Sequence, residues 1–178
     1  MASANSIAVG SNILTKLQIK ETAIILILSV FIPFLIHFLP DYNGIVVGAI
    51  LLPMFWAPYI AVKFFKFHVG LIAALVSPVI NYLITGNPRI EIMTLMTIQL
   101  TLFVITAGLL KNLKTLKYLN AFLSYIIAVV SASILLILIP SLMPGLVIGN
   151  YFTAAFVTAI PGIVMLIAIN FMSVKFSN

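Results

Sequence analysis

Long apolar runs alternate with short polar breaks along the chain, and this pattern predicts six membrane-spanning helices. The apolar runs cover residues 22–39, 44–62, 69–84, 92–110, 121–139 and 147–172. A helix of about 20 residues crosses the hydrocarbon core of a bilayer. The runs are continuously apolar and lack the alternation of barrel strands, and a helix satisfies its own backbone polar groups in lipid. We therefore predict one domain, an all-α polytopic bundle.

Composition leads to the same class of protein. Of the 178 residues, 63% are hydrophobic and only 7% are charged, whereas soluble domains carry about 25% charged residues. A water-soluble fold of this length cannot bury so much apolar surface. The composition excludes a soluble enzyme and a nucleic-acid-binding domain, and it indicates a lipid bilayer as the solvent.

The few charges are distributed unevenly between the two sides of the predicted bundle. Eight cations lie before the first run or after the second, fourth and sixth runs: Lys16, Lys20, Lys63, Lys66, Lys111, Lys114, Lys117 and Lys175. Only Arg89 falls on the opposite side. Positive charge favours the cytoplasmic side, so we predict a cell-membrane protein with both termini inside and a cytoplasmic tail at residues 1–20. The lysines are also suited to contacts with anionic lipids.

Polar residues in or near the predicted spans concentrate on the outer side. They are His37, Asn81, Thr85, Asn87, Arg89, Glu91, Gln99, Asn150 and Tyr151. Polar groups inside a membrane are unfavourable, usually face the bundle interior and often mark function. We predict that these residues form a substrate pocket that opens to the outside.

Each of these polar residues also has a structural interpretation. Asn81 and Thr85 are one helical turn apart, and they could join helices or bond a backbone carbonyl. Gln99 could serve an interhelical hydrogen bond, because a buried amide needs partners. His37 could be an amphipathic side chain that reaches the interface.

The loop that follows the third run is the predicted gate of the pocket. It covers residues 86–91 and includes Gly86 and Pro88. Arg89 and Glu91 in this loop could bind the substrate, pair with each other or contact lipid headgroups.

A second mobile point is predicted within the sixth run. Pro161 and Gly162 lie in the middle of this run, and a proline inside a helix removes a backbone hydrogen bond and permits a kink. We predict a hinge or a break there.

Chemical motifs of enzymes are missing. The sequence has no HExxH, GxSxG, Walker A or GxGxxG pattern and no cysteine. The two histidines lie on opposite sides of the predicted membrane, and all three acidic residues lie at its interfaces. We expect no catalysis, no metal and no cofactor, and a binding protein that takes its energy from partner proteins.

Four stretches of the chain resemble, in order, the substrate-binding S components of energy-coupling factor (ECF) transporters. They are LLPMFWAPYIA (51–61), GLIAALVSPVINYLITGNP (70–88), LMTIQLTLFVITAGLL (95–110) and AIPGIVMLIAI (159–169). The resemblance implies a high-affinity binding subunit for a vitamin or related micronutrient. It also implies association with a transmembrane coupling subunit and two cytoplasmic ATPases.

Individual positions carry the resemblance over to this chain. Those that match the family pattern are Ser77, Pro78, Thr85, Gly86, Pro88, Pro161 and Gly162. The chain departs from it at Phe55, where relatives tend to have histidine, and at Gln99, where they tend to have glutamate. The coupling motif of the first helix is imperfect, since Ala23 is followed by Ile27. Both departures remove ionisable groups, so the resemblance does not name the ligand. The few charges of the predicted pocket and its aromatic residues favour a neutral or weakly charged ring compound, unless Arg89 pairs with an anion.

Two other classes of function are alternatives. A stand-alone channel or facilitator for a small solute would need polar residues along the inner half, where the chain offers Ser124, Tyr125 and Asn170. An intramembrane enzyme or assembly factor would need a catalytic pair, and none is visible.

Overall fold

The computed structural model describes residues 16–42, 44–86 and 88–177, and its regular elements are helices. They are α1 (Lys16–Ile36), α2 (Val47–Leu51), α3 (Trp56–Phe64), α4 (Phe67–Thr85), α5 (Ile90–Leu110), α6 (Asn120–Leu138), α7 (Ile148–Phe152) and α8 (Ile160–Ser177). Short 3₁₀ turns lie at Pro53–Phe55, Lys114–Leu116 and Pro140–Leu142, and a π-helix lies at Thr153–Thr158. The prediction of an all-helical fold is confirmed.

Four helices are long and apolar enough to cross a membrane. They are Gln18–Ile36 within α1, Phe67–Thr85, Ile90–Leu110 and Asn120–Leu138. A fifth span is present if the bent pair Ile148–Thr158 and Ile160–Phe176 crosses as one unit. Large apolar side chains such as Ile27, Leu109 and Leu138 are 64–72% exposed, which is the surface that lipid would cover.

The second apolar run does not form the single helix predicted over residues 44–62. It is divided into α2, a 3₁₀ turn and α3, and the chain changes direction at Leu52, whose φ is +53°. Pro53 explains the break, because the residue before a proline is disfavoured in the right-handed α conformation. Pro53 also supplies no backbone N–H to a continuing helix.

The sixth run, predicted over residues 147–172, is also divided. α7 continues into the π-helix, which ends at Thr158, and after Ala159 the chain continues as α8 at an angle of 51°. The break therefore lies two residues before the predicted point at Pro161 and Gly162. In an uninterrupted helix the ring of Pro161 would meet the carbonyl of Val157, and Pro161 sits without conflict in the first turn of α8.

The remaining predicted boundaries shift by one or two residues, except in the first helix. α1 begins at Lys16, within the tail predicted at residues 1–20, and it ends at Ile36 rather than Leu39. Residues 1–15 lie outside the described part of the chain.

The helices pack around an aromatic core between α3, α5 and α6. The ring of Phe55 makes edge-on contacts with Phe103 and Tyr125, at centroid distances of 5.0 and 5.5 Å. Tyr59, Phe103 and Tyr125 are at most 1% exposed. α1 packs on α3 and α4 through a smaller cluster that contains Ile25, Ala61, Val69 and Ala73.

The bundle has two chemically different ends. We name the Arg89 end after the short connection between α4 and α5. The chain returns to this end through α6, and α7 begins there. We name the lysine-rich end after the side where α3 ends and α5 turns into α6, with Lys63, Lys111, Lys114 and Lys117.

Candidate ligand site

The centre of the candidate site is a polar pair between α5 and α7. The Tyr151 hydroxyl donates to Gln99 Oε1 across 3.5 Å, and both side chains are buried, at 8% and 9% exposure. Gln99 lies near the middle of the 21-residue α5, so the pair lies deep in the bundle. A bond this long is weak, and the pair could exchange it for bonds to a ligand.

A π-helical segment adjoins the Gln99–Tyr151 pair. It begins at Thr153, two residues after Tyr151, and the Tyr125 hydroxyl of α6 donates to the Ala155 carbonyl at 2.8 Å. A π-helix releases backbone carbonyls from the regular pattern and is frequently found at functional sites. Here Tyr125 satisfies one such carbonyl and attaches the segment to the core.

Tyr151 belongs to the same hydrophobic cluster as Phe55, Phe103 and Tyr125, and we call these three rings the aromatic wall. Phe55 occupies the centre of this wall, between Phe103 and Tyr125. Because Phe55 and Gln99 are both uncharged, the described part of the site presents an amide, hydroxyls and ring faces. These groups can bind a neutral ring compound that both donates and accepts hydrogen bonds.

Asn81 and Thr85 bond within their own helix. Asn81 Nδ2 donates to the Ser77 carbonyl at 3.1 Å, and Thr85 Oγ1 donates to the Asn81 carbonyl at 2.7 Å. This is the backbone-bonding alternative for the two side chains. Asn81 is buried and Thr85 is half-buried, on the α4 side of the bundle.

The predicted gate is shorter than expected. α4 ends at Gly86, whose left-handed conformation (φ +68°) closes the helix, and α5 already begins at Ile90. Glu91 therefore lies in the first turn of α5 rather than in the loop. The helix dipole favours an acidic side chain at this position. Pro88 is half-buried and Arg89 is exposed, while Asn87 lies outside the described residues.

His37 and Asn150 lie at the surface of the Arg89 end. His37 follows the last residue of α1, and a Cβ on Gly48 would lie 3.1 Å from His37 Cε1. Asn150 is exposed on α7. Within the described ranges, no hydrogen bond joins His37, Arg89 or Asn150 to Gln99 or Tyr151, so the predicted set of site residues is only partly assembled.

Gly162 permits the closest backbone approach near the site. A Cβ at this position would lie 2.7 Å from the Leu51 carbonyl carbon and 2.8 Å from the Ile50 oxygen. The start of α8 therefore packs directly on the last turn of α2. Pro161 is exposed beside it.

Seven buried side-chain atoms have no hydrogen-bond partner among the described residues, and sequence reasoning had singled out only Trp56, Ser77 and Ser124 of the residues that carry them. The seven atoms are Ser29 Oγ, Trp56 Nε1, His68 Nε2, Ser77 Oγ, Thr101 Oγ1, Asn120 Oδ1 and Ser124 Oγ. Trp56 is the most informative of them, because an indole N–H has one donor and no acceptor to offer. In the sequence, Trp56 is conspicuous because it lies inside an apolar run, far from the aromatic belts at the membrane interfaces.

The polar side chains of the lysine-rich end are joined in a separate network. The Tyr59 hydroxyl donates to Asn170 Oδ1, and Asn170 Nδ2 donates to the Tyr118 carbonyl at 2.6 Å. Asn120 Nδ2 donates to the Ala107 carbonyl at 3.1 Å. These bonds connect α3, α5, α6 and α8.

Comparison of the chain with protein-family models, with curated proteins and with solved structures finds no match. Its described residues also bring together no three His, Asp or Glu side chains of the kind that hold a metal ion.

Proposed function

We propose that this protein is a membrane-embedded binding subunit that captures a small, weakly charged micronutrient from outside the cell. The observation that carries the proposal is the buried Gln99–Tyr151 pair, whose hydrogen bond is long and whose tyrosine shares one hydrophobic cluster with the aromatic wall. Leaving two buried polar groups weakly bonded is unfavourable. A ligand with a donor and an acceptor relieves that penalty and gains apolar contact with the wall.

The finer proposal is an S component of an ECF-type importer. It rests on the four sequence stretches that resemble this family, and the residues around Phe55, Gln99 and Gly162 belong to them. In this proposal the protein has six spans, both termini are cytoplasmic and the cell membrane is its location. A transmembrane coupling subunit and two ATPases supply the energy.

Hydrogen bonding favours a binding subunit over a stand-alone channel. Two of the inner polar side chains that a channel would need are already bonded within the protein, Tyr125 to Ala155 and Asn170 to Tyr118. A water-filled path would have to break these bonds. Solute flux or ion conductance in liposomes that hold this protein alone would support the channel instead.

The ligand site is tested by calorimetry and thermal shift on the purified protein, with a panel of vitamins. For the vitamin that binds, we expect Gln99→Leu to weaken affinity about tenfold, or ~1.4 kcal/mol, because one buried hydrogen bond is lost. Arg89→Ala should also weaken binding if the loop closes over the ligand.

A matched control for this test lies on the same helix. Thr106 is half-buried on α5, and within the described residues its hydroxyl donates only to the Leu102 carbonyl of the same helix. Thr106→Val should leave affinity unchanged. If no vitamin stabilises the protein and no coupling subunit co-purifies with it, the proposal is wrong; unchanged affinity in both Gln99 and Arg89 variants would place the site elsewhere.

A further inference from the structure

A cavity of about 200 Å³ lies at the lysine-rich end. Four ammonium groups, an amide and a hydroxyl line it: Lys63, Lys111, Lys114, Lys117, Asn112 and Ser173. Among the described residues in its lining none is acidic. The Ser173 hydroxyl already donates to the Ile169 carbonyl, but the four ammonium groups and the Asn112 amide are donors, so the cavity is suited to an acceptor with negative charge.

Helix ends fix these lysines in place. Lys63 lies in the last turn of α3, and Lys111 immediately follows α5. Lys111 Nζ donates to the Val62 carbonyl at 2.8 Å, so α5 is attached directly beside Lys63. An ammonium group has three donors, and this bond uses one of those on Lys111.

Aromatic rings position two of the ammonium groups. Lys63 Nζ lies 5.4 Å from the centre of the Tyr59 ring, and Lys117 Nζ lies 5.0 Å from the centre of the Tyr118 ring. Both distances fall in the range of a cation–π contact. The charges are thus held by the fold around the cavity.

The lysines that line the cavity repel one another. Burial, together with the charge of Lys111, lowers the pKa of Lys63 to about 8. The other lining cations, Lys114 and Lys117, add to the positive potential. An anion in the cavity would remove the repulsion that these charges impose on one another.

We propose that this cavity binds the phosphate group of an anionic phospholipid headgroup. α5, α6 and the bent α7–α8 pair end or begin at this side, so the cavity lies at the level where a bilayer has its phosphates. Exposed Tyr118 and Phe171 pack together nearby, with ring centres 5.8 Å apart. Such aromatic side chains are typical of the membrane interface and offer a surface to acyl chains. The site is independent of the proposed transport function.

Native mass spectrometry and thermal unfolding in nanodiscs test the site. The protein is placed in phosphatidylcholine alone and in phosphatidylcholine with phosphatidylglycerol. We expect one phosphatidylglycerol to be retained, with a rise in Tm. Lys63→Gln with Lys114→Gln should reduce its affinity roughly 30-fold, since each lysine near anionic lipid contributes about 1 kcal/mol.

A control variant removes the same net charge at the same end. Lys66 and Lys175 are exposed and do not line the cavity, so Lys66→Gln with Lys175→Gln should retain the lipid nearly as well as the unchanged protein. Tm in phosphatidylcholine alone shows that both variants are folded. Equal loss of lipid in the two double variants, or no retained phosphatidylglycerol, would overturn the proposal.

A test with inorganic phosphate distinguishes a lipid headgroup from a soluble phosphate anion as the ligand of the cavity. It is added to the protein in phosphatidylcholine nanodiscs, against chloride at equal ionic strength. We expect a smaller rise in Tm than with phosphatidylglycerol, because free phosphate lacks the acyl chains. A rise as large as that produced by the lipid would overturn the assignment to a headgroup and indicate a soluble anion.

Discussion

The two ends of the bundle are held together in different ways. At the lysine-rich end, side chains bond across elements: Lys111 to Val62, Asn120 to Ala107 and Asn170 to Tyr118. Toward the Arg89 end, Asn81, Thr85 and Thr94 donate to carbonyls of their own helices, and the bonds across elements are the long one between Tyr151 and Gln99 and the one between Tyr125 and Ala155. Bonds across elements oppose relative movement of helices, whereas bonds within a helix do not.

We call the lysine-rich end the fixed end, because its bonds join several elements, and the proposed binding function would place any rearrangement in the rest of the bundle. The helix breaks at Leu52 and Ala159 lie within the bundle, between its two ends, and the hydrogen bond between Gln99 and Tyr151 is long. A binding subunit that opens and closes requires such a division, because ligand binding can only shift an equilibrium between arrangements that exist.

The largest effect is expected where the start of α8 packs directly on the backbone of α2. Gly162→Ala places a Cβ 2.7 Å from the Leu51 carbonyl carbon, so α8 and α2 must separate. We expect a loss of about 1–3 kcal/mol in unfolding free energy, measured in detergent. Gly149→Ala is the control, because a Cβ there meets nothing within 4 Å; equal loss in both variants would contradict the packing role.

A comparable loss is expected at the fixed end. Asn170→Ala removes the bonds to Tyr59 and Tyr118. Each bond between helices in a membrane protein contributes roughly 0.6–1.7 kcal/mol, so we expect a loss of about 1–3 kcal/mol. Asn150→Ala, at an exposed position, should change stability by less than ~0.5 kcal/mol. If Gln99→Leu destabilises the protein more than Asn170→Ala, the division between the ends is wrong.

A smaller effect tests the break in the second run. Leu52→Ala and Leu52→Gly both remove the side chain, but only glycine is free of the penalty for positive φ. We expect the glycine variant to unfold with a free energy about 1 kcal/mol higher than the alanine variant. The order should reverse at Ala49 in α2, where glycine replaces alanine inside a helix. The same order at both positions would argue against a left-handed Leu52.

The smallest effect is a pH dependence at the fixed end. The pKa of Lys63 is lowered from 10.5 to about 8, so between these values the unfolded chain binds more protons than the folded protein. Stability should therefore rise as pH increases from about 8 to 10.5. Lys63 is half-buried, and screening by water keeps this rise below ~1 kcal/mol. Unfolding measured against pH should show a flatter curve for Lys63→Gln than for the exposed control Lys66→Gln.

The apolar runs predicted the helices because a chain segment in lipid has no water to bond its backbone N–H and C=O groups. A backbone in hydrocarbon must bond to itself, so four of the six runs became long helices close to their predicted bounds. The other two contain proline at places where tertiary contacts favour a break. Pro33 and Pro78 lie inside continuous helices, whereas Pro53 and Pro161 accompany interruptions; the sequence alone does not distinguish these outcomes.

The candidate site was only partly predictable for a related reason. A buried amide such as Gln99 is conspicuous in an apolar run, so its importance could be inferred from its chemistry. Its partner Tyr151 is 52 positions away in the sequence. The Ala155 carbonyl that accepts a hydrogen bond from Tyr125 lies in a π-helix that follows α7, and no sequence pattern predicted that helix. These relations depend on how helices pack.

By itself, the sequence determined that this is an all-helical protein of the membrane and which side chains are polar enough to matter. Both follow from the free energy of placing each residue in lipid, which is a local property. The tertiary structure decided that Gln99 meets Tyr151, that Gly162 lies against α2, and that four lysines surround one cavity. These outcomes required contacts between distant helices, where shape and backbone geometry select one arrangement among many with the same apolar pattern.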